Sequence, residues 1–171
     1  MISVVDIDGT LSDFTHRVHL IDKVSPTMED FRKFLSPDLM LQDPPYPKSL
    51  RGLAQLIVTS RYICFITGRN ECLRRVNHKW IQMHYPFIHG AHIHMRPDGE
   101  LSVATDYKKR MVEQRVLPYL DHENNESLLL IDDDPYVLAA YSQYGLALRA
   151  PACWDLLVHK QLPSQEPLFT R

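Results

Sequence analysis

Short apolar runs that end in polar residues recur along this chain. Residues 2–6, 62–66 and 128–131 form three such runs, and residues 88–95 and 146–149 supply two more candidates. Continuous apolar runs of this length are typical of strands that are buried on both faces. The pattern therefore predicts five strands, three of which carry functional groups at their carboxyl ends.

Apolar residues spaced three or four positions apart lie between these strands and predict helices. They are Leu50, Leu53 and Ile57, then Leu73, Val76, Trp80 and Met83, and then Met111, Val112 and Val116. A further helix is predicted from Val137 to Tyr144, with Gly145 as its C-cap. The alternation of strand and helix predicts an α/β fold with a doubly wound, mainly parallel five-stranded Rossmann-like sheet. Ligands bind such sheets outside the carboxyl ends of the strands.

Residues 11–47 break the alternation and are predicted to form a small helical cap over the site. One helix is expected from Thr15 to Ile21, and a second is expected to open with Ser25 as N-cap and Pro26 at its first position. The prolines within residues 43–47 are predicted to keep that segment out of any ladder and to make a rigid return to the core. We expect a single domain over residues 1–158 and a polar tail over residues 159–171.

Composition excludes several classes of protein. The chain has 171 residues, of which 44% are hydrophobic, so one packed domain is expected. A net charge of −2 argues against a broad basic face for nucleic acid, although a local basic groove is compatible with it. The three cysteines lack CxxC spacing, and the histidines at 89, 92 and 94 alternate as in a half-buried strand, which disfavours a zinc site. No run is long enough to span a membrane, and a cytoplasmic location is expected.

Four aspartates at predicted strand ends carry the candidate chemistry. Asp6 and Asp8 follow the first strand, and Gly9 permits a bend that lets both carboxylates serve one site. One carboxylate can attack phosphorus while the other transfers protons. Asp132 and Asp133 would complete an acidic nest for a hard cation such as Mg²⁺, which offsets the negative charge of a phosphate.

Positive groups are needed to hold the phosphate. Thr67 precedes Gly68 and an expected helix start, where its hydroxyl and nearby backbone N–H groups would face phosphate oxygens. A lysine is expected to neutralise the remaining charge.

These elements, in this order, resemble the four motifs of the haloacid dehalogenase superfamily: Asp6-Ile7-Asp8-Gly9-Thr10, Thr67-Gly68-Arg69, a downstream lysine and Asp132-Asp133. The resemblance implies that Asp6 is the nucleophile and Asp8 the acid/base. It implies Mg²⁺ bound by Asp6, Asp132 and the backbone carbonyl of Asp8, with Asp133 in the same nest. Lys108 is the preferred motif lysine, and Lys109 is the alternative.

A finer resemblance is to the phosphatase module of phage polynucleotide kinases and to small stand-alone phage and bacterial proteins of that design. It is carried by residues 16–17, 43–45, 95–100 and 117–118. It implies a phosphatase acting on a terminal 3′-phosphate of a polynucleotide or on nucleotides, in the host cytoplasm if the chain is phage-encoded. The expected substrate-binding residues are His16, Arg17, Gly68, Arg69 and Arg96.

Two alternatives remain open at this point. A nucleoside 5′-monophosphatase or small-metabolite phosphatase would use the same core, because specificity lies in the cap. A non-catalytic nucleotide-binding module is disfavoured because a binder needs neither Asp6 nor Asp8. No kinase activity is expected, since no GxxxxGK[ST] loop is present. No membrane and no obligate protein partner is inferred, and the oligomeric state is not predicted.

Overall fold

Five parallel strands form the centre of the computed structural model, which describes residues 1–22, 24–25, 27–90 and 92–159. The strands are β1 (Ile2–Val5), β2 (Tyr62–Asn70), β3 (His92–Arg96), β4 (Leu128–Asp132) and β5 (Leu146–Arg149). Their order is β3-β2-β1-β4-β5, and every neighbouring pair is parallel. The strand order therefore reverses at β1, which places the carboxyl end of β1 between those of β2 and β4. The predicted α/β class and parallel five-stranded sheet are confirmed.

Within the described residues seven α-helices accompany the sheet, and the last five of them cover its two faces. They are α1 (Met28–Phe34), α2 (Pro37–Gln42), α3 (Ser49–Thr59), α4 (Arg74–His84), α5 (Ala104–Arg115), α6 (Pro135–Tyr141) and α7 (Cys153–His159). Val5, Phe65 and Ile131 pack on one face against residues of α3, α4 and α7. Their strand neighbours belong to a second cluster on the other face, together with residues of α5 and α6. This alternation follows from the two-residue period of a strand.

The insertion at residues 11–47 contains a 3-10 helix (Thr15–Leu20), α1 and α2. The start predicted for its second helix was wrong, because Thr27 rather than Ser25 is the N-cap of α1. The Thr27 hydroxyl accepts from the Asp30 backbone N–H at 3.2 Å, and the Asp30 carboxylate accepts from the Thr27 N–H at 2.9 Å. This capping box satisfies two backbone donors that a start at Ser25 would leave open. The predicted role of Pro26 lies outside the described residues.

The return segment makes one bridge to the core, contrary to the prediction that its prolines would exclude it from any ladder. Pro45 pairs with Ser12 in an isolated antiparallel bridge. The bonds come from groups that the prolines leave available: Tyr46 N–H donates to the Leu11 carbonyl, and the Pro44 carbonyl accepts from Asp13 N–H, both at 2.9 Å. The segment is thereby fixed beside the turn that follows β1.

Several predicted boundaries differ from the observed ones. The third strand begins at His92 rather than at residue 88, and α6 ends at Tyr141 rather than at Tyr144. Side chains of Ser142 and Gln143 donate to the carbonyls of Ala139 and Ala140, at 2.7 and 2.8 Å, and so occupy carbonyls of the last turn. Residues 160–171, most of the predicted polar tail, lie outside the described residues.

Close packing of α3 against α7 gives a test of the fold. Gly52 of α3 faces the buried Trp154 ring, and a Cβ at this position would overlap that ring. Trp154 is held in place, because its Nε1 donates to the Thr10 carbonyl at 2.9 Å. Replacing glycine by alanine within a helix normally stabilises by about 0.5–1 kcal/mol, whereas overpacking a core costs about 1–3 kcal/mol.

We therefore expect Gly52→Ala to lower the free energy of unfolding by about 1–2 kcal/mol, measured by denaturant titration. Val58→Ala on the same helix is the control, since Val58 is 82% exposed and its truncation should change the free energy by less than about 0.5 kcal/mol. Higher stability of Gly52→Ala would contradict this packing.

Candidate active site

A tight turn directly after β1 separates the carboxylates of Asp6 and Asp8. The backbone N–H groups of Leu11 and Ser12 both donate to the Ile7 carbonyl at 2.9 Å. Gly9 adopts φ +71°, which favours glycine, and a Cβ there would overlap the Asp133 carboxylate. The turn therefore requires a glycine for two reasons: its φ angle is positive, and the Asp133 carboxylate lies too close to leave room for a Cβ.

Asp6, Asp132 and Asp133 form what we call the acidic cluster. One carboxylate oxygen from each lies within 4.8 Å of the others. Asp6 and Asp132 are buried and Asp133 is half-buried. Burial, together with repulsion from the neighbouring carboxylates, raises the pKa of Asp6 above its ordinary value and that of Asp133 to about 6.

Lys108 is the cation that faces the acidic cluster. It projects from α5, is buried, and places Nζ 2.8 Å from Asp132 Oδ2 and 3.1 Å from Asp6 Oδ1. Burial alone would lower the pKa of Lys108, but these two carboxylates raise it, so the amine stays protonated. Lys109 points elsewhere: its side chain is 42% exposed and lies 4.0 Å from Glu113. Of the two lysines, the structure brings only Lys108 to the strand ends.

Asp8 points away from the acidic cluster, between the guanidinium groups of Arg17 and Arg69. Arg69 Nε donates to Oδ2 at 2.8 Å and its Nη2 to Oδ1 at 2.6 Å, while Arg17 Nη2 donates to Oδ1 at 2.8 Å. Burial alone would raise the pKa of Asp8, but Arg69 and then Arg17 lower it to about 2. We call this pair of arginines the arginine clamp. It favours the ionised form of Asp8.

Asp43, at the C-cap of α2, lies behind the arginine clamp and is fully buried. Its Oδ1 accepts from Arg17 Nε at 2.8 Å, and its Oδ2 accepts from Arg17 Nη2 and Ser12 Oγ, each at 2.6 Å. His16 Nε2 lies 2.8 Å from Oδ1, and Arg69 Nη2 lies 3.3 Å from Oδ2. Sequence reasoning placed Asp43 in a family pattern but did not count it as a site residue. The aspartate before Pro44-Pro45 was the available signal.

Three of the expected substrate-binding residues are engaged within the protein instead. The donors of Arg17 and Arg69 go to Asp8, Asp43 and nearby acceptors, since Arg17 Nη1 also donates to the Phe34 carbonyl at 2.9 Å. Both arginines are at most 1% exposed. His16 is partly exposed but bonds Asp43. In this arrangement the hydrogen bonds found for the arginine clamp among the described residues all go to acceptors within the protein, and the predicted contact of Arg17, Arg69 and His16 with substrate stays a prediction.

Thr67 and Gly68 lie in β2, not at the start of a helix as predicted. The strand continues to Asn70, with a register shift between Thr67 and Asn70, and α4 begins only at Arg74. The shift is a bulge or a related irregularity, with two extra residues on β2, and such features can re-aim side chains. Thr67 is buried, and its hydroxyl accepts from the Arg69 backbone N–H at 3.3 Å.

Arg96, the last residue of β3, is the predicted substrate-binding arginine that remains available. Its guanidinium lies beside Gly68 and 5.6 Å from the centre of the Tyr107 ring. Arg96 is half-buried, and its Nε is enclosed and has no hydrogen-bond partner among the described residues. This unpaired donor makes Arg96 a candidate contact for an anionic ligand at the carboxyl edge of the sheet.

Within the described residues, no helix combines the length and the apolar character that crossing a membrane requires.

Comparison with known proteins places the fold. No protein-family model matches the chain, and neither does any curated protein. A chain of the Pnkp1/Rnl/Hen1 complex is similar over 87% of this chain and 45% of its own length, with 15% identity and a TM-score of 0.60. A second structure, of the Pnkp1/Rnl/Hen1 RNA repair complex, is similar over 86% of this chain and 41% of its own length, with 15% identity and a TM-score of 0.58.

A crystal structure of D,D-heptose 1,7-bisphosphate phosphatase from Burkholderia thailandensis gives 14% identity and a TM-score of 0.45 over 85% of this chain and 74% of the other. This chain spans less than half the length of the two repair-complex chains that it matches. It shares their fold over that part.

Proposed function

We propose that this chain is a Mg²⁺-dependent phosphomonoesterase that forms an aspartyl-phosphate on Asp6. The placement of Asp6 carries the proposal: it is buried at the end of β1, 3.1 Å from Lys108, and shares the acidic cluster with Asp132 and Asp133. A second carboxylate, Asp8, lies two residues away in a separate, positively charged environment. A nucleophile and a proton-transfer group with different surroundings are what two-step phosphoryl transfer requires.

In the first displacement, a carboxylate oxygen of Asp6 attacks phosphorus, and the bond from phosphorus to the leaving oxygen breaks. Lys108 lies beside this carboxylate, where its charge favours the ionised nucleophile and would stabilise the transferring oxygens. Asp8 is proposed to give a proton to the leaving oxygen, as the family resemblance implies. Because Arg69 and Arg17 lower the pKa of Asp8 to about 2, this step requires that the carboxylate first takes up a proton from solvent and reacts in its less populated, protonated form.

The acidic cluster fits a divalent cation. Three carboxylates face one lysine, so the negative charge at the strand ends exceeds the positive charge that the chain provides there. Asp6, Asp132 and Asp133 would hold Mg²⁺ through oxygen atoms, the ligands that this ion prefers. When bound, the ion supplies positive charge that offsets repulsion between the anionic nucleophile and an anionic phosphate.

In the second displacement, Asp8 accepts a proton from water as the water oxygen attacks phosphorus. The bond between phosphorus and Asp6 breaks, inorganic phosphate leaves, and Asp6 is restored. The arginine clamp supports this step, because it keeps Asp8 in the ionised form that can accept a proton. Over one turnover Asp8 gives one proton and regains one.

The substrate we propose is a terminal 3′-phosphate of a polynucleotide, or a nucleotide. The sequence resemblance to polynucleotide kinase phosphatase modules supports it, and so does the structural likeness to chains from an RNA repair complex. Arg96, with an unpartnered Nε among the described residues, is a candidate contact for a backbone phosphate. The partly exposed Lys109 and Arg110 lie on α5, on the same side of the sheet as Tyr107.

Asp6→Asn should reduce phosphate release in the presence of Mg²⁺ by about a thousandfold or more, because the amide keeps the shape but is not a nucleophile. Circular dichroism should show an unchanged fold. Asp38→Asn makes the same change at an exposed position on α2 and should retain full activity. Release from Asp6→Asn at the wild-type rate would exclude the mechanism, and no release from wild type on any phosphate ester would favour a binding module.

Lys108→Ala should lower kcat by about tenfold or more relative to Lys109→Ala, because only Lys108 contacts Asp6 and Asp132. The two variants remove the same side chain from adjacent positions of one helix, so each controls for the other. Steady-state kinetics on one aryl phosphate decides between them, and a larger loss for Lys109→Ala would transfer the role to that residue.

A 3′-phosphate on a short single-stranded oligonucleotide should be hydrolysed with higher kcat/KM than a free nucleoside 5′-monophosphate. The reason is that Arg96 would contact a backbone phosphate that a mononucleotide lacks, and that Lys109 and Arg110 would contact others if they exchanged Glu113 and Glu100 for phosphate. The preference should therefore weaken as salt is raised. A competition assay at low and at physiological salt measures it. Faster hydrolysis of the free 5′-monophosphate in both conditions would instead support a nucleotidase.

A further inference from the structure

Asp43 and Asp8 are joined by the same two arginines. Arg17 Nη2 donates to Asp8 Oδ1 at 2.8 Å and to Asp43 Oδ2 at 2.6 Å. Arg69 Nη2 lies 2.6 Å from Asp8 Oδ1 and 3.3 Å from Asp43 Oδ2. Each guanidinium therefore has one carboxylate on either side, and neither can turn toward Asp8 or away from it without changing its contact with Asp43.

We infer that Asp43 is a positioning residue that fixes the Asp8 carboxylate by holding both members of the arginine clamp. The inference rests on the proposed function, because it concerns the group that transfers protons in that reaction. Asp43 has no place in the chemistry itself and acts only through Arg17 and Arg69.

The backbone of Asp43 is anchored independently of its side chain. Trp80 Nε1 donates to the Asp43 carbonyl at 2.8 Å, and the Asp43 N–H donates to the Met40 carbonyl at 3.3 Å. Pro44 follows and restricts the conformation of Asp43 itself. The carboxylate therefore projects from a fixed point and can act as a reference for the arginines.

Arg17 and Arg69 come from different parts of the chain, and each has further anchors of its own; for Arg69 one of them is Ser12 Oγ, 3.4 Å from Nη2. Arg17 donates to the Phe34 carbonyl and lies 4.2 Å from the centre of the Phe34 ring. Arg69 Nη1 donates to the buried Asn77 side chain. Asp43 is the side chain that contacts both guanidiniums from the side opposite Asp8, so it sets their relative position.

Charge balance argues for the same role. Two arginines and two aspartates give a neutral group, in which all charges are paired. Without the negative charge of Asp43, two buried guanidiniums would face Asp8 alone. The two guanidiniums would then compete for the two oxygens of Asp8 and change the orientation of this carboxylate, because a buried charge without a counter-charge is energetically costly.

Two substitutions separate charge from position. Asp43→Asn removes the negative charge at constant shape, whereas Asp43→Glu keeps the charge and moves the carboxylate by one methylene. Both should lower kcat for an aryl phosphate by about tenfold or more and change KM by less than about threefold, since misplacing a reacting group by about 1 Å has effects of this size. Asp43→Glu keeps the charge balance, so it decides the matter if Asp43→Asn does not fold.

Combination with Asp8→Asn tests whether Asp43 acts through Asp8. Once the Asp8 carboxylate is absent, adding Asp43→Asn should reduce the remaining rate by less than about twofold, because residues that act as a unit are not additive. An equal loss in the wild-type and Asp8→Asn backgrounds would overturn the inference.

Arginine NMR provides a readout that needs no activity. Arg69 Nε donates to Asp8 and not to Asp43. Solvent exchange of its N–H therefore reports on the contact between Arg69 and Asp8. In Asp43→Asn, and in Asp43→Glu, exchange at Arg69 Nε should accelerate together with exchange at Arg17 Nε. Faster exchange at Arg17 alone would mean that Asp43 is only a local partner, and the inference would fail.

Glu126→Gln is the matched control. Glu126 pairs with Arg61 through two hydrogen bonds, of 3.0 and 2.6 Å, near the amino ends of the strands. Its loss should leave kcat and both Nε exchange rates unchanged. If wild type releases no phosphate, the proposed function fails while the NMR test still applies; if wild type is active and the Asp43 variants match it, only this inference fails.

Discussion

Burial of negative charge at the carboxyl ends of β1 and β4 is the constraint on which the rest of the site depends. Buried carboxylates need partners, and the chain meets this need in two different ways. Asp8 and Asp43 are balanced one for one by the arginine clamp. Among the residues that the structure describes, Lys108 alone forms ion pairs with the acidic cluster. The excess of negative charge is thus confined to one place, where a divalent cation and an anionic substrate could be accommodated together.

Opposite environments act on two aspartates that are only two residues apart. Burial and neighbouring carboxylates raise the pKa of Asp6, whereas Arg69 and Arg17 lower that of Asp8 to about 2. The turn at Gly9 makes this possible, because in a strand continued with regular geometry Asp6 and Asp8 would point to the same face and share one set of surroundings. The glycine of the DxDGT motif therefore has an electrostatic consequence as well as a conformational one: it assigns each carboxylate to its own counter-charges.

The sequence was sufficient for the sheet and for the acidic strand ends, because buried parallel strands and terminal aspartates are local patterns. It also favoured Lys108 over Lys109. It did not reveal the bulge after Thr67, which depends on pairing with β3, or the function of Asp43, whose partners are about 26 residues or more away along the chain. Ion pairs between segments far apart in the chain produce no periodic pattern in the sequence. For this reason the contacts of Arg17 and Arg69 with Asp8 and Asp43 were not predicted, and contact with substrate was predicted for both arginines.

This reassignment changes how a polymeric substrate would be recognised. With both clamp arginines enclosed, contacts to a phosphate other than the one being transferred must come from the outer rim of the sheet. Arg96 is the candidate we propose for this contact, since it ends the edge strand β3, lies beside Gly68 and has a buried Nε without a partner among the described residues. In the proposed reaction the two functions would be separated by location: the arginines that contact Asp8 are buried, while Arg96, the proposed substrate contact, is at the edge of the sheet. Specificity could then change at β3 without disturbing the proton-transfer group.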